Sequence, residues 1–248
     1  MTRIAALSDV HGNAAALEAV LADVSKARPD AVMVAGDLVL NGPEPALVVD
    51  VLRSLADDGA LVIGGNTDVA VADFDYAAAF PWMTDGIPDA IIDAAEWAHE
   101  ALGPERLDWL RRLPSERRWR TVDDTLVVVC HASPGSQTAG FDQNLDPSVT
   151  IERVARTDAR IIVCGHTHLP EVRDLGWKVI VNDGSAGYVF DGDPTASWAL
   201  VDIVEEQVTA EIKRTAFDTL AVANAISARG LAGDVYRAAT VRTGKLVR

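Results

Sequence analysis

The sequence predicts an α/β fold, a four-layer αββα sandwich in which two mixed β-sheets pack face to face and helices cover their outer sides. The first observation is the alternation of short apolar runs with helical patterns over residues 3–63, because helical crossovers join parallel strands in this way. The second is a series of apolar runs after residue 115, which supplies strands for another sheet. The third is size, since 248 residues with 49% hydrophobic side chains suffice for a sizeable core.

The first part of the chain predicts a β-α-β-α-β unit. Strands are expected at residues 3–7, 31–35 and 60–63, and helices at residues 14–27 and 44–56. In the first helix Leu17, Val20 and Val24 keep a helical spacing, Asn13 can cap the start, and Pro29 stands just beyond the end. The sheet should therefore begin with parallel strands and right-handed connections.

Residues 69–112 have a different character, with no clear period at 73–88 and helical patterns at 89–102 and 104–113. We interpret residues 70–113 as a helical, cap-like insertion that lies over the mouth of a site, within one domain spanning residues 1–248. Three tryptophans are expected to form the core of this insertion, with stacking on a substrate as the alternative role: Trp82, Trp97 and Trp109. His99 is expected to be a surface helix residue.

The remaining elements are mostly strands. A hairpin is expected at residues 119–122 and 125–129, and further strands at 161–164, 178–181, 197–203 and 208–212. A closing helix is expected at residues 218–229. The tail beyond it contains Gly230, Gly233 and Gly244, and we expect it to be loosely held.

Side chains that can bind metal ions follow the ends of the predicted strands. They are Asp9, His11, Asp37, Asn66, His131, His166 and His168. Each segment alone also suits an ordinary turn, but parallel strands of an α/β sheet present their carboxyl ends to one crevice. Two carboxylates, one amide oxygen and four imidazoles suit two divalent ions that share a bridging carboxylate. Four of the five histidines belong to this set.

The order of these segments resembles that of the calcineurin-like metallophosphoesterases. The family pattern of D-x-H, G-D, G-N-[HX]-[DE], H and G-H-x-H is matched by Asp9-x-His11, Gly36-Asp37, Gly65-Asn66-Thr67-Asp68, His131 and Gly165-His166-x-His168. The stretch at 181–185 is similar to the small bacterial and archaeal phosphodiesterase branch. The resemblance implies the αββα fold and hydrolysis of phosphoesters, above all small-molecule or nucleotide phosphodiesters.

The resemblance also implies a role for each ligand. Asp37 would bridge two ions, with Asp9, His11 and His168 on the first and Asn66, His131 and His166 on the second. A nitrogen and oxygen set without thiolate suits Mn²⁺, with Fe, Ni²⁺, Co²⁺ or Zn²⁺ as alternatives. The catalytic residues are expected to be Asp37, Asn66, His131 and Asp68. Of these, Asp68 would orient a ligand or turn the loop without touching metal.

One position departs from the family pattern. Many relatives place a histidine after the asparagine and use it to protonate the leaving group, whereas this chain has Thr67. A threonine hydroxyl has no accessible pKa near neutrality, so it cannot be a general acid, although it can donate a hydrogen bond. The departure favours the phosphodiesterase branch over the protein phosphatases.

Charge limits the partners. A net charge of -15 repels nucleic acid unless a local basic site compensates, so a small phosphate ester is expected and long nucleic acid is not. The only basic cluster comprises Arg111, Arg112, Arg117, Arg118 and Arg120, which suits either a solvated helix end and strand start or phosphate steering.

The apolar segments of the sequence indicate the cellular location of the protein and the role of its two cysteines. No apolar stretch approaches the roughly 20 residues of a membrane span and no signal peptide opens the chain, so a cytoplasmic protein without membrane association is expected. Cys130 and Cys164 lie in apolar runs and are expected to be small buried hydrophobic residues.

Two alternatives to a phosphodiesterase remain. One is a phosphomonoesterase or dinucleotide polyphosphatase of the same superfamily. The other is a non-catalytic protein-interaction scaffold like the retromer subunit of that superfamily, although all seven ligand positions are retained here.

Overall fold

The computed structural model describes residues 1–205 and 207–248 and, within them, contains two five-stranded sheets. The strands are β1 (Thr2–Leu7), β2 (Ala31–Val34), β3 (Leu61–Val62), β4 (Glu116–Arg120), β5 (Leu126–Cys130), β6 (Ile161–Cys164), β7 (Glu171–Asp174), β8 (Val179–Asn182), β9 (Ala196–Val204) and β10 (Gln207–Thr215). The helices are α1 (Ala14–Ala27), α2 (Pro45–Asp57), α3 (Asn66–Asp73), α4 (Tyr76–Ala79), α5 (Asp89–Arg112), α6 (Pro147–Val154), α7 (Thr219–Arg229) and α8 (Asp234–Thr243).

Both sheets are mixed. The first has the strand order β10-β9-β1-β2-β3, in which β1, β2 and β3 are parallel and β9 is antiparallel to β1. The second has the order β4-β5-β6-β8-β7, in which β5, β6 and β8 are parallel and both outer strands are antiparallel. The predicted fold class is confirmed, and so is the hairpin formed by β4 and β5.

The alternation of side chains along β1 produces the layers. Ile4 points to the interface between the two sheets, where it joins apolar residues of both, such as Val127 and Ile161. Leu7 belongs to the opposite face and joins a cluster that includes Leu17 of α1. On the outer side of the second sheet, Val154 of α6 packs in the same cluster as Val128 and Ile162.

Helices α3 to α5 occupy the predicted insertion and belong to the same apolar cluster as α1 and α2. Helix α5 bends at Gly103, which has a φ of 67° and precedes Pro104. Trp97 and Trp109 pack against this cluster as expected. The prediction that Trp82 is also core is wrong, because its side chain is 52% exposed.

His99 is half-buried, so its prediction as a surface residue is also wrong. Its Nδ1 lies 2.7 Å from the carbonyl oxygen of Val71 and its ring stacks on Phe74. That carbonyl is in the last turn of α3, where backbone oxygens lack partners within the helix. The histidine therefore joins α5 to the end of α3.

The tail is not loosely held, contrary to the prediction, because it contains α8. Residues of α8 such as Val241 pack in one cluster with Ile226 of α7. The tail glycines delimit the helices: Gly230 ends α7 and Gly244 ends α8, both in the left-handed conformation that glycine adopts readily. Among the described residues, no helix has the length and apolar character of a membrane span.

Candidate metal centre

The structure brings all seven predicted ligand residues together at the carboxyl ends of β1, β2, β3, β5 and β6. Backbone hydrogen bonds join the loops that carry them. The amide of Asp9 donates to Gly36 (2.9 Å), that of His11 donates to Asp37 (3.0 Å), and that of Gly165 donates to His131 (2.9 Å). The first two bonds join neighbouring loops of the first sheet, and the third joins two loops of the second.

Five of the seven residues have a left-handed backbone. The φ angles are 52° at Asp9, 51° at His11, 56° at Asp37, 69° at His166 and 58° at His168. This conformation is uncommon outside glycine and costs on the order of 1–3 kcal/mol at each position. The surrounding structure must supply that energy, which is typical of a functional site and could not be read from the sequence.

Two glycines allow the loops to approach closely. A Cβ atom at Gly65 would collide with the carboxylate of Asp37, and one at Gly165 would collide with the side chains of Ser8 and Asp9. The close approach of the loops therefore requires glycine at both positions, because any side chain there would push a ligand loop away.

The first group of ligands comprises Asp9, His11 and His168, with one oxygen of Asp37. The Nε2 atom of His11 lies 3.1 Å from Nε2 of His168 and 3.7 Å from Oδ2 of Asp37. The Nε2 atom of His168 lies 3.2 Å from Oδ1 of Asp9. These atoms converge on one position beneath the protein surface, since all four side chains are buried.

The second group comprises Asn66, His131 and His166, with the other oxygen of Asp37. The Nε2 atom of His131 lies 3.3 Å from Oδ1 of Asp37 and 3.0 Å from Oδ1 of Asn66. The Nδ1 atom of His166 lies 3.1 Å from the same oxygen of Asn66. Asp37 thus presents one oxygen to each group.

Backbone carbonyl groups fix the orientation of three imidazoles. Nδ1 of His11 lies 3.1 Å from the oxygen of Leu40, and Nδ1 of His131 lies 2.7 Å from that of Ala35. Nδ1 of His168 contacts the oxygen of Tyr188. A carbonyl can only accept, so Nδ1 must carry a proton in each case, and Nε2 is the nitrogen that faces the position of a metal ion.

Burial and the two carboxylates shift the pKa values of the imidazoles in opposite directions. Burial lowers the pKa of His11 to about 4, with His168 adding to the effect, and lowers the pKa of His166 to about 4, with His131 adding. Burial acts the same way on His131, but the carboxylates of Asp37 and Asp9 outweigh it and raise its pKa to about 10.

The residues present are suited to holding divalent metal ions. Asp9 Oδ1 is buried without a hydrogen-bond partner among the described residues, although it faces the cluster. Groupings that could hold an ion are Asp9, His11 and His168, and Asp9, Asp37 and His131. Carboxylate, amide and imidazole groups converge here, and a bound cation would compensate their negative charge and lone pairs and take the place of the His131 proton.

Asp68 and Thr67 support the cluster from the start of α3. The two oxygens of Asp68 accept hydrogen bonds from the amides of Leu38 (2.8 Å) and Gly65 (2.9 Å), which joins the loops after β2 and β3. Burial raises the pKa of Asp68 to about 7, with the charge of Asp37 adding to the effect. The amide of Thr67 donates to Oδ1 of Asp37 (2.9 Å), and its hydroxyl is buried without a partner in the described parts of the chain.

The sequence reasoning missed a buried polar set beside Asp9. The hydroxyl of Ser8 lies 2.5 Å from Oδ2 of Asp9 and 2.5 Å from Oδ1 of Asp183, and the hydroxyl of Ser185 donates to the backbone oxygen of Asp9. One hydroxyl has one proton, so one carboxyl group must be protonated. Burial raises the pKa of Asp183 well above its usual range, which assigns the proton to it. The motif at 181–185 was the available signal.

A second missed set joins the C-terminal helices to the loop at 40–42. Arg229 donates from its guanidinium to the carbonyl oxygens of Asn41 and Gly42 (2.8 Å each) and pairs with Asp234 (2.6 Å), which also pairs with Arg237 (3.1 Å). The amide of Gly42 in turn donates to the carbonyl of His11 (2.6 Å). No motif in the tail indicated this cluster.

The Asn13 side chain caps α1 by accepting from the amide of Ala16, and both cysteines are buried in strands. In the basic cluster, Arg118 pairs with Asp158 and Arg120 pairs with Asp124, all on exposed surface. The solvated interpretation therefore agrees with the structure for these two arginines.

The chain belongs to the calcineurin-like phosphoesterase superfamily, whose domain model matches residues 2–206. It is similar to the crystal structure of a metallophosphoesterase from Sphaerobacter thermophilus, with a TM-score of 0.76 and 26% identity over 98% of this chain and 99% of that one. An uncharacterized protein of Methanocaldococcus jannaschii is 28% identical over 87% of this chain and 88% of its own length.

A part of the chain is also similar to an enzyme of known reaction. A symmetrical bis(5'-nucleosyl)-tetraphosphatase from Pectobacterium carotovorum is 32% identical over 127 residues, which are 51% of this chain and 41% of that enzyme. The similarity thus spans less than half of the enzyme's length.

Proposed function

We propose that this phosphoesterase superfamily member hydrolyses small phosphodiesters with the help of two divalent transition-metal ions, Mn²⁺ being our first choice. The observation that carries the proposal is the position of Asp37, whose two oxygens face two separate groups of ligands. A bridging carboxylate between two nitrogen-rich groups is what a binuclear site requires.

Asp9, His11 and His168 would hold one ion, and Asn66, His131 and His166 the other, with Asp37 shared. When bound, the pair of ions would supply positive charge for the attacking and leaving oxygens of an in-line displacement and for the charge that develops on the phosphoryl group. The Nδ1 hydrogen bonds of His11, His131 and His168 keep the unprotonated nitrogens directed inward.

Asp68 is proposed as a positioning residue. Its two hydrogen bonds hold the loop of Asp37 against the loop of Asn66, so that both ligands remain in register. The backbone amide of Thr67 adds a direct hydrogen bond to Asp37. The side chain of Thr67 itself cannot release a proton near neutral pH.

A small diester fits the charge of the chain. With a net charge of -15, the surface gains nothing from the counterion release that favours long nucleic acid, whereas a small substrate meets mainly the ions at the site. A dinucleoside polyphosphate is the second candidate, supported by the partial similarity to the symmetrical tetraphosphatase. We further propose that residues 1–248 act as one catalytic domain in the cytoplasm.

The test is metal reconstitution followed by a substrate panel. The chain is treated with chelator, loaded with Mn²⁺, Zn²⁺ or Co²⁺, and assayed on bis(p-nitrophenyl) phosphate, p-nitrophenyl phosphate and diadenosine tetraphosphate. We expect the diester to be hydrolysed with the highest kcat/KM, and Asp37→Asn to abolish that activity. Asp50→Asn, which alters an exposed ion pair with Arg106, is the matched control and should retain it. Equal activity in wild type and Asp37→Asn would contradict the proposal.

A further inference from the structure

Trp82 is an exposed aromatic residue at the open side of the candidate metal centre. Its ring centroid lies 6.1 Å from that of His166, and the two planes meet at 67°. His166 is partly exposed, whereas His11, His131 and His168 are buried. The side of the cluster that a substrate can reach is thus the side on which the indole stands.

The segment that carries Trp82 is fastened to the cluster. The side-chain amide of Asn66 donates to the carbonyl oxygen of Ala79 (3.1 Å), and the amide of Met83 donates to that of Phe80 (2.9 Å), which closes a turn around the tryptophan. The buried Phe80 ring meets the indole edge to face at 5.8 Å. Trp82 therefore has a supported ring with 52% of its side chain left in solvent.

Exposure of one large apolar side chain needs no explanation by itself. Here it coincides with a fixed position beside a ligand cluster in a chain whose net charge of -15 repels anions. Stacking on a flat ring attracts a ligand without requiring a cationic side chain. An indole at this place is suited to a phosphoester that carries such a ring.

We propose that Trp82 is a specificity-determining residue that stacks on the nucleobase of a nucleotide ester bound at the metal centre. The proposal rests on the proposed function and narrows its substrate class to nucleotide diesters. The phosphate would lie at the ligand cluster, and the base would leave the site past His166 onto the exposed indole.

Two substrates with the same leaving group test this. Thymidine 5'-(p-nitrophenyl) phosphate carries a base, and methyl p-nitrophenyl phosphate does not. Stacking of one base on an aromatic side chain corresponds to about 5- to 150-fold in affinity. Trp82→Leu should lower kcat/KM for the thymidine ester by a factor in this range, mainly through KM, and leave the methyl ester within about twofold. Trp82→Phe, which keeps a ring, should lose less.

Trp177 provides the matched control, since it is 51% exposed, contacts Lys178 and lines a cavity with Leu126 and Arg160, at the end of β5 and β6 opposite to the ligand loops. Trp177→Leu should leave both substrates unchanged. Equal losses for both substrates in Trp82→Leu, or no loss for either, would overturn the proposal.

A binding measurement separates this inference from the proposed function. AMP added to the Mn²⁺-loaded protein should quench indole fluorescence in wild type and in Trp177→Leu, and the quenching should disappear in Trp82→Leu. Quenching without hydrolysis of any phosphoester would leave the stacking role intact and refute the proposed function. Hydrolysis in the absence of Trp82-dependent quenching would leave the proposed function intact and refute the stacking role.

Discussion

The Nε2 atoms of His11 and His168 lie 3.1 Å apart, and each of these two imidazoles uses its Nδ1 proton on a backbone carbonyl. Two lone pairs at this distance repel unless a cation or a proton lies between them. Burial lowers the pKa of His11 to about 4, so a proton is disfavoured there at neutral pH. The pair is thus arranged for a metal ion, and this arrangement leads to the first prediction.

Loading with excess Mn²⁺ should give close to two ions per chain by elemental analysis, and Asp37→Asn should lose at least one. Because metal binds the folded chain preferentially, an ion concentration of 100 times Kd should add about 2.7 kcal/mol to the free energy of unfolding for each ion bound. Thermal denaturation with and without chelator measures this gain. Asp50→Asn should retain both ions, and a stoichiometry near one in wild type would contradict the shared-carboxylate arrangement.

The pH dependence of the metal-free protein is the second prediction, and three histidines and two buried carboxyl groups set its signs. The folded pKa of His131, about 10, is above its unfolded value of about 6.5, so its contribution is complete below pH 6.5 and is lost as pH rises towards 10. The folded pKa values of His11 and His166, about 4, are below 6.5. Their unfolded forms take up protons first, so these two histidines reduce stability as pH falls from 6.5 towards 4.

Asp68, whose pKa burial raises to about 7, and Asp183, whose pKa burial also raises, act in the opposite sense on the acid side, because the folded chain keeps protons there that the unfolded carboxyl groups release. We therefore expect the loss of stability above pH 6.5, which depends on His131, to be the clearer of the two. Calorimetric melting in chelator at pH 4 to 10 measures the profile. In His131→Asn the stability of the metal-free protein should depend less on pH above pH 6.5. In the metal-loaded protein the alkaline decline should disappear, since the ion replaces the proton of His131. A metal-free profile that rises steadily from pH 6.5 to 10 would exclude this account of His131.

The sequence predicted the fold layers and the convergence of the seven candidate ligand residues, because both depend on local patterns. Apolar alternation places Ile4 and Leu7 on opposite faces of β1, and strand ends bring their following residues to one edge. Prediction from sequence failed where the burial of a residue depends on packing against residues far away in the sequence. Trp82 has the same apolar character as Trp97, and only packing decides that one is exposed and the other covered.

The C-terminal helices show the same limit. Glycines at 230 and 244 suggested a loose tail, but they cap helices whose Arg229 and Arg237 reach the loop at 41–42. The partners are far apart in the sequence, as in the bond from Arg229 to Asn41, whose separation is 188 residues. No periodicity or short motif records a contact of that range.

This buried cluster gives the third prediction. Asp234 is the only acid that pairs with Arg229 and Arg237 in the described chain, and all three are at most 7% exposed in their side chains. Asp234→Ala should therefore cost about 3–5 kcal/mol of stability, because it leaves buried guanidinium groups unpaired. Chemical denaturation measures this loss. Asp218→Ala, which removes only the cap of α7, should cost about 1 kcal/mol.

The fourth prediction concerns nucleic acid. Gel-shift titration at low salt with duplex and single-stranded oligonucleotides should show no binding below micromolar concentration, because the chain carries a net charge of -15. Two arginines of the basic cluster, Arg118 and Arg120, are exposed but already paired with carboxylates. Sub-micromolar binding that Arg117→Ser reduces would show that a local site overrides the net charge.

The fifth prediction concerns Thr67 and leaving-group protonation. The backbone amide of Thr67 holds Asp37, while its buried hydroxyl has no hydrogen-bond partner among the described residues. The hydroxyl itself should thus contribute little, and Thr67→Val should change kcat/KM by less than about twofold. Without a general acid at this position, kcat/KM for aryl diesters should depend steeply on the pKa of the leaving group.

Thr67→His would place an acid there, and a positioned general acid contributes about 10²–10⁴-fold. The gain should be largest for poor leaving groups, so the dependence of kcat/KM on leaving-group pKa should become flatter. The side chain at this position is 6% exposed, so thermal denaturation must first establish that the larger imidazole is accommodated. Thr67→Asn is the control, because it adds a polar side chain that cannot release a proton. A shallow dependence in wild type that Thr67→His leaves unchanged would show that another group already protonates the leaving oxygen, and that the residue at this position is not the missing acid.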